Sequence, residues 1–196
     1  ELLALDAFLR SRPLESADDR IVLVGFDEAA IQTIGYPIPE PELVELINTI
    51  QSHQPAAIGL HLFKTQVTRA NDANFFQGLN QRQNLLMAQK VLPASEQIPP
   101  PAGFSEQQVG TIDILPDGDN HVRHMVLGVF DPLDETTYQF SLAIRLAEAY
   151  LVAQDRSLSV QNGIRDPDAM RFGETELSRL EPNSGAYVGV SLGSPE

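Results

Sequence analysis

"PELVELINTIQSHQPAAIGLHLF", residues 41–63, joins two hydrophobic patterns of different period. In the first half Leu43, Leu46, Ile47 and Ile50 fall on one stripe, which predicts a helix over 39–51, with Pro41 in the first turn where its missing N–H costs nothing. In the second half "AAIGLHLF" (56–63) is a continuous apolar run of strand length, the pattern of a strand covered on both faces. Upstream, "IVLVGF" (21–26) has the same texture and predicts another buried strand. The connection between the two runs is too long for a hairpin and holds a helix. The order therefore predicts a parallel pair in a right-handed βαβ unit.

Working outward, "ELLALDAFLR" opens the chain as if in mid-helix, with Leu2, Leu5, Phe8 and Leu9 at helical spacing. Residues 71–81 predict a second helix, and "NLLMAQKV" (84–91) a third strand. Prolines 93, 99, 100 and 101 then make 92–108 a long surface loop, because proline neither continues a helix nor pairs within a central strand. "VGTIDIL" (109–115) and "VRHMVLGVF" (122–130) are joined by a short polar stretch and predict an antiparallel hairpin. Phe140, Ala143, Ile144, Ala147, Tyr150 and Leu151 predict a helix over 138–154, and short strands and turns fill 155–196. The expected fold is mixed α/β: a partly parallel central sheet with flanking helices and an antiparallel hairpin, in one domain over 1–196 whose core spans roughly 20–154.

Composition narrows the function. The 196 residues carry a formal charge of −14, and lysine occurs only at Lys64 and Lys90. Such a field repels phosphate backbones, so nucleic acid is excluded as a partner. With no cysteine there is no disulfide, thiolate metal site or thiol nucleophile. No run approaches the roughly 18 apolar residues that a membrane-spanning helix needs.

The most chemically loaded stretch is "LPDGDNHVRH" (115–124). Asp117, Asp119 and His121 alternate like the start of a calcium loop, yet its sixth and twelfth positions are Val122 and Gly128 where glycine and glutamate are required. His121 and His124, three apart on a strand, point to opposite faces and cannot share a zinc ion. "GVSLG" (189–193) matches a nucleophile elbow in form, but only "SPE" follows it here, so unless a further C-terminal part supplies the acid and histidine the match is expected to be accidental. No glycine-rich phosphate loop is present. No catalytic residue, metal ligand or cofactor is assigned.

What remains are single polar residues in suggestive places. Asp27 ends the first apolar run and His61 lies near the end of the second, where ligands sit in open α/β sheets. As alternatives, Asp27 can cap the helix "EAAIQTIG", and His61 can be a hydrogen-bonded strand residue. Arg123 follows an acidic turn and can clamp Asp117 or Asp119, or a ligand carboxylate. Asp113 lies between Ile112 and Ile114.

Taken in order, the segments resemble the CHASE-two family of extracellular sensor domains. The resemblance rests on "ELLALDAFLRSRP" with "ADDRIVLVGFDEAAI", "GYPIPEPELVELINTI", "PAAIGLHLF", "GTIDILPDGDNHVRHMVL" and "YQFSLAIRLAEAY", which together cover most of 1–150. Two positions depart from the family pattern: His61 stands where aspartate is usual, and "YPIPEP" replaces a tryptophan-proline-arginine segment. The resemblance implies a ligand-sensing, non-enzymatic input domain outside the cytoplasmic membrane, periplasmic or at the cell surface. It also implies tethering by flanking membrane helices cut away from this segment, and coupling to a cyclase or kinase output module. The expected partners are an unidentified small-molecule signal, the membrane and a second copy of the chain, with ligand contacts at Asp27, His61, Asp113 and Arg123. An assembly module without a pocket, and a metal-assisted hydrolase using Asp27, Asp113 or His61, are the competing readings.

Overall fold

A computed structural model describes residues 2–63, 78–92, 96–156 and 160–177. The chain divides into two compact units, one of Glu1–Gly25, Asp117–Asp119 and Ser159–Glu196, the other of Phe26–Pro116 and Asn120–Leu158.

The larger unit is built on a parallel sheet of three strands, β1 (Ile58–Leu60), β2 (Leu85–Gln89) and β3 (Val109–Thr111), with β2 in the centre. All five residues of β2 are buried, as expected of a strand covered on both faces. One face receives α3 (Glu40–Ser52), whose Leu43 and Ile47 pack with Ile38, Ile58, Leu85 and Met87. On the other lies α4 (Leu142–Val152), with Leu142, Leu146 and Ala149 against Leu86 and Ala88. That seat depends on glycine: a Cβ at Gly110 would lie 2.4 Å from the Leu142 Cα, and one at Gly59 would lie 2.9 Å from the Leu146 Cδ1. Overpacking of this kind costs about 1–3 kcal/mol. Ser141 caps α4, its Oγ accepting the Ile144 N–H at 3.3 Å.

Three expectations are corrected here. Residues 21–26 form no strand: no described strand pairs with them, and Ile21, Val22, Leu23 and Val24 are 67, 80, 92 and 56% exposed. A β-branched run has strand propensity, but a strand exists only where a neighbour completes its ladder, and β1 bonds on one side to β2. Only Phe26 reaches a core, packing on the α3 side.

The second correction concerns the hairpin. Residues 109–115 and 122–130 do not pair. Instead β3 joins β2 in parallel, and β4 (Gly128–Asp131) pairs antiparallel with β5 (Asp134–Phe140) across Pro132 and Leu133. A two-residue turn costs less chain entropy than the longer loop, and the Asp131 carboxylate fixes it by accepting the Leu133 N–H at 2.9 Å. The third follows from the second: residues 138–140 belong to β5, so the helix expected over 138–154 begins only after its Ser141 cap. The helix expected over 71–81 falls largely outside the described residues, as does "GVSLG".

The smaller unit contains α1 (Leu2–Ser11), none of whose residues is buried, and an antiparallel meander of β6 (Val160–Asn162), β7 (Met170–Phe172) and β8 (Thr175–Leu177). Gly173, at φ 59, supplies the left-handed residue in the tight turn between β7 and β8. Glu176 on β8 closes the other connection, accepting the N–H groups of Ile164, Arg165 and Asp166 at 2.8, 3.1 and 3.0 Å. Those donors, Arg165 first and Asp166 next, hold the Glu176 carboxyl below its ordinary pKa. No described helix is long and apolar enough to cross a membrane.

Candidate functional site

In an open parallel sheet the loops at the carboxyl ends of the strands form the usual ligand crevice. Here that edge is made by the residues ending β1, β2 and β3: Leu60 and His61, Gln89 and Lys90, and Thr111 with Asp113 two residues beyond. Gln89 is in register with Thr111, so both side chains fall on the α3 face.

Asp113 is buried and committed. Its Oδ2 accepts the Val91 N–H at 2.8 Å and the Thr111 hydroxyl in a short bond, while Oδ1 accepts the Leu92 N–H at 2.9 Å. It therefore ties the chain leaving β2 to the end of β3. An ionised carboxylate offers about four acceptor positions, so one is left for a further donor.

His61 lies on the opposite side of the sheet. Gly59 faces Leu146 of α4, Phe63 packs in the α4 cluster, and the exposed His61 meets the Phe63 ring edge-on at 6.3 Å. His61 and Asp113 thus flank one edge from two faces. Asp27 is the N-cap of α2 (Glu28–Ile34), its Oδ1 accepting the Ala30 N–H at 2.8 Å; the capping alternative read from the sequence holds. Arg123 is half-buried in the segment leading to β4.

Sequence reading missed the glutamines. Gln89, 8% exposed at the centre of the edge, donates from Nε2 to Oε1 of Gln139 on β5 at 3.0 Å. The pair joins the hairpin to the parallel sheet and leaves Gln89 Oε1 and Gln139 Nε2 without a partner among the described residues. Beside it Gln97 donates to Asp131 at 3.1 Å, and Lys90 pairs with Glu96 at 2.7 Å, which holds the Glu96 carboxyl below its ordinary pKa. Behind the sheet Gln108 donates to the carbonyls of Asn80, Arg82 and Leu85 and accepts from Ser105, a set of bonds that fixes the approach to β3. The one available signal for the first pair was Gln89 itself, a polar residue closing an otherwise apolar run.

This arrangement offers hydrogen-bond donors and acceptors. Among the described residues no three His, Asp or Glu side chains gather where a metal ion could be held. Such groups can recognise a ligand through directional hydrogen bonds.

Compared with known proteins, residues 1–190 match the CHASE2 domain, whose members are extracellular sensory domains. Comparison with curated proteins and with solved structures gave no match.

Proposed function

The chain belongs to the CHASE2 domain family, and on that footing we propose that it is the extracytoplasmic ligand-sensing input domain of a membrane-anchored receptor. A small-molecule signal binds at the carboxyl edge of the parallel sheet, and its preference for one arrangement of the domain biases helices that enter the membrane and, through them, a cytoplasmic output module. The observation that supports this most is the Gln89–Gln139 pair, which leaves one amide acceptor and one amide donor unspent at the edge where open sheets bind ligands. His61 and Asp113 are ligand contacts on either side of it, and the same reading assigns contacts to Asp27 and Arg123.

Thermal unfolding in the presence of a small-metabolite library tests the reading. A ligand at a hundred times its Kd raises stability by about 2.7 kcal/mol, and Gln89→Leu removes that gain. A library without a stabilising compound, or stabilisation indifferent to changes at Gln89, Gln139, His61 and Asp113, overturns it. A second reading, an assembly module without a small-molecule pocket, is favoured by the exposed Ile114, Val122, Met125, Phe130 and Leu133. The absence of any stabilising metabolite supports it.

A further inference from the structure

β1 stops at Leu60, opposite Met87, while β2 runs on to Gln89. The Gln89 carbonyl turns toward β3, where it accepts the Ile112 N–H at 3.0 Å, so the backbone of Lys90 turns the other way, into the lane that β1 has vacated. Ile98 fills that place. It pairs antiparallel with Lys90, donating its N–H to the Lys90 carbonyl at 2.9 Å and accepting the Lys90 N–H at 3.0 Å. The pairing does not continue past Ile98, because Pro99, Pro100 and Pro101 have no N–H with which to extend it.

Two side-chain bonds hold the same short segment. Lys90 Nζ lies 2.7 Å from the Glu96 carboxylate, and Gln97 Nε2 donates to the Asp131 carboxylate at 3.1 Å. Asp131 belongs to the hairpin of β4 and β5, which Ser141, just after β5, bridges to Thr111 of β3 and which Gln139 ties to Gln89. Residues 96–98 therefore stretch from the lane of β1 to the hairpin, across the carboxyl ends of β2 and β3. Their course explains an oddity of this edge. Gln89 and Asp113 stand at the mouth where an open sheet receives ligands, yet each is only 8% exposed. The fastenings are light, since the Glu96 side chain is exposed and an ion pair in water contributes little.

We propose that residues 96–98 are a strap that closes the carboxyl edge, and that a ligand reaches Gln89 and Asp113 only when Ile98 parts from Lys90 and Gln97 from Asp131. The use given to the strap rests on the ligand reading above; its closure does not. Opening is a local event that breaks two backbone bonds, one exposed ion pair and one amide bond, and leaves the apolar packing of Leu85 and Met87 on α3 intact. A ligand is then selected from the open population, and its apparent affinity is lowered by the open fraction. Each bond that fastens the strap thereby sets how strongly a signal must bind before it registers.

The chain has no cysteine, so a single introduced thiol reports access to one place. Gln89→Cys and Val91→Cys put it at two buried positions of the closed edge, and Ala88→Cys puts it on the α4 face of the same strand, buried away from the strap. The whole chain is treated with an excess of a maleimide under native conditions, where labelling through a fast-closing opening tracks the open population. Gln97→Ala, which removes the bond to Asp131, raises the labelling rate of both edge cysteines about tenfold. Glu96→Gln raises it about two- to fivefold. In the same backgrounds Ala88→Cys keeps its slow rate, and the amides of Lys90 and Ile98 lose protection from hydrogen exchange while that of Met87 keeps it. Edge labelling indifferent to Gln97→Ala overturns the proposal. So does a rise that Ala88→Cys shares, or an edge thiol that reacts in the otherwise unaltered chain as fast as one at the exposed Ile164. Because no ligand is needed, the two readings fail separately: a strap that opens in a chain no metabolite stabilises retires the ligand reading, and a binder at Gln89 with unchanged labelling retires the strap.

Discussion

"IVLVG" at 21–25 and "LLMAQ" at 85–89 are apolar runs of equal length with opposite fates. The second is the fully buried centre of a parallel sheet, bonded on both sides and packed by helices on both faces. The first has no regular secondary structure and is exposed, with no described strand beside it. The contrast extends to the units that hold them. In the larger, order comes from apolar burial around Leu43, Ile47, Leu85 and Met87. In the smaller, only Asp117 and Ala169 are buried among the described residues, and the meander is closed by turns and by carboxylate bonds at the surface. Hydrophobicity along the chain measures what can be buried; what is buried depends on the neighbours that arrive.

The sharpest way to break the comparison is to cut the same atoms from each run. Leu85→Ala leaves a cavity between α3 and the sheet and is expected to cost about 2–5 kcal/mol in urea unfolding. Leu23→Ala, at a residue 92% exposed, stays within about 0.5 kcal/mol. Equal losses would mean that residues 21–25 are part of a buried layer.

A smaller effect follows at the sheet edge. Asp113→Asn keeps the shape but replaces one acceptor oxygen with a donor amide facing N–H or O–H groups, and is expected to cost about 1–3 kcal/mol. In unfolding experiments Asp113→Asn should lose far more than Asp27→Asn, because asparagine is nearly as good an N-cap as aspartate.

The smallest effect concerns pH. The folded Glu176 pKa lies below the ordinary 4.5, so in this range the folded chain binds fewer protons than the unfolded one. Its contribution is complete above the unfolded value and is lost as pH falls through the folded one. Because the group is exposed, the consequence is local. Amide resonances of Ile164, Arg165 and Asp166 should shift with a common midpoint below 4.5, and Glu176→Gln should abolish that titration. A midpoint at or above 4.5 would show that the backbone donors do not hold the carboxylate.

Much of the frame was legible in the sequence because it was written in periodicity. The stripe of Leu43 and Ile47 gave α3 nearly to its ends, the apolar runs at 56–63 and 84–91 contained β1 and β2, and Asp27 carried its capping role in its residue type. The hairpin was misread because two apolar segments flanking a polar turn look alike whether they pair with each other or with other strands, and only the geometry of Pro132 and Leu133 selects β5 as the partner of β4. The candidate site was legible in part. Asp113 and His61 were named from the sequence, but their placement on opposite faces of one edge depends on register and on the glycines that seat α4.

By itself, then, the sequence determined the class of fold, the helix stripes, the strand-forming runs and an acidic chemistry hostile to nucleic acid, since these depend on residue type and spacing alone. Tertiary structure decided which runs became strands, that Gln89 meets Gln139 across 50 residues, and that Phe130 stays exposed while its neighbour Tyr138 is half-buried. Pairing and burial are properties of two or more segments at once, and no single segment carries the position of its partner.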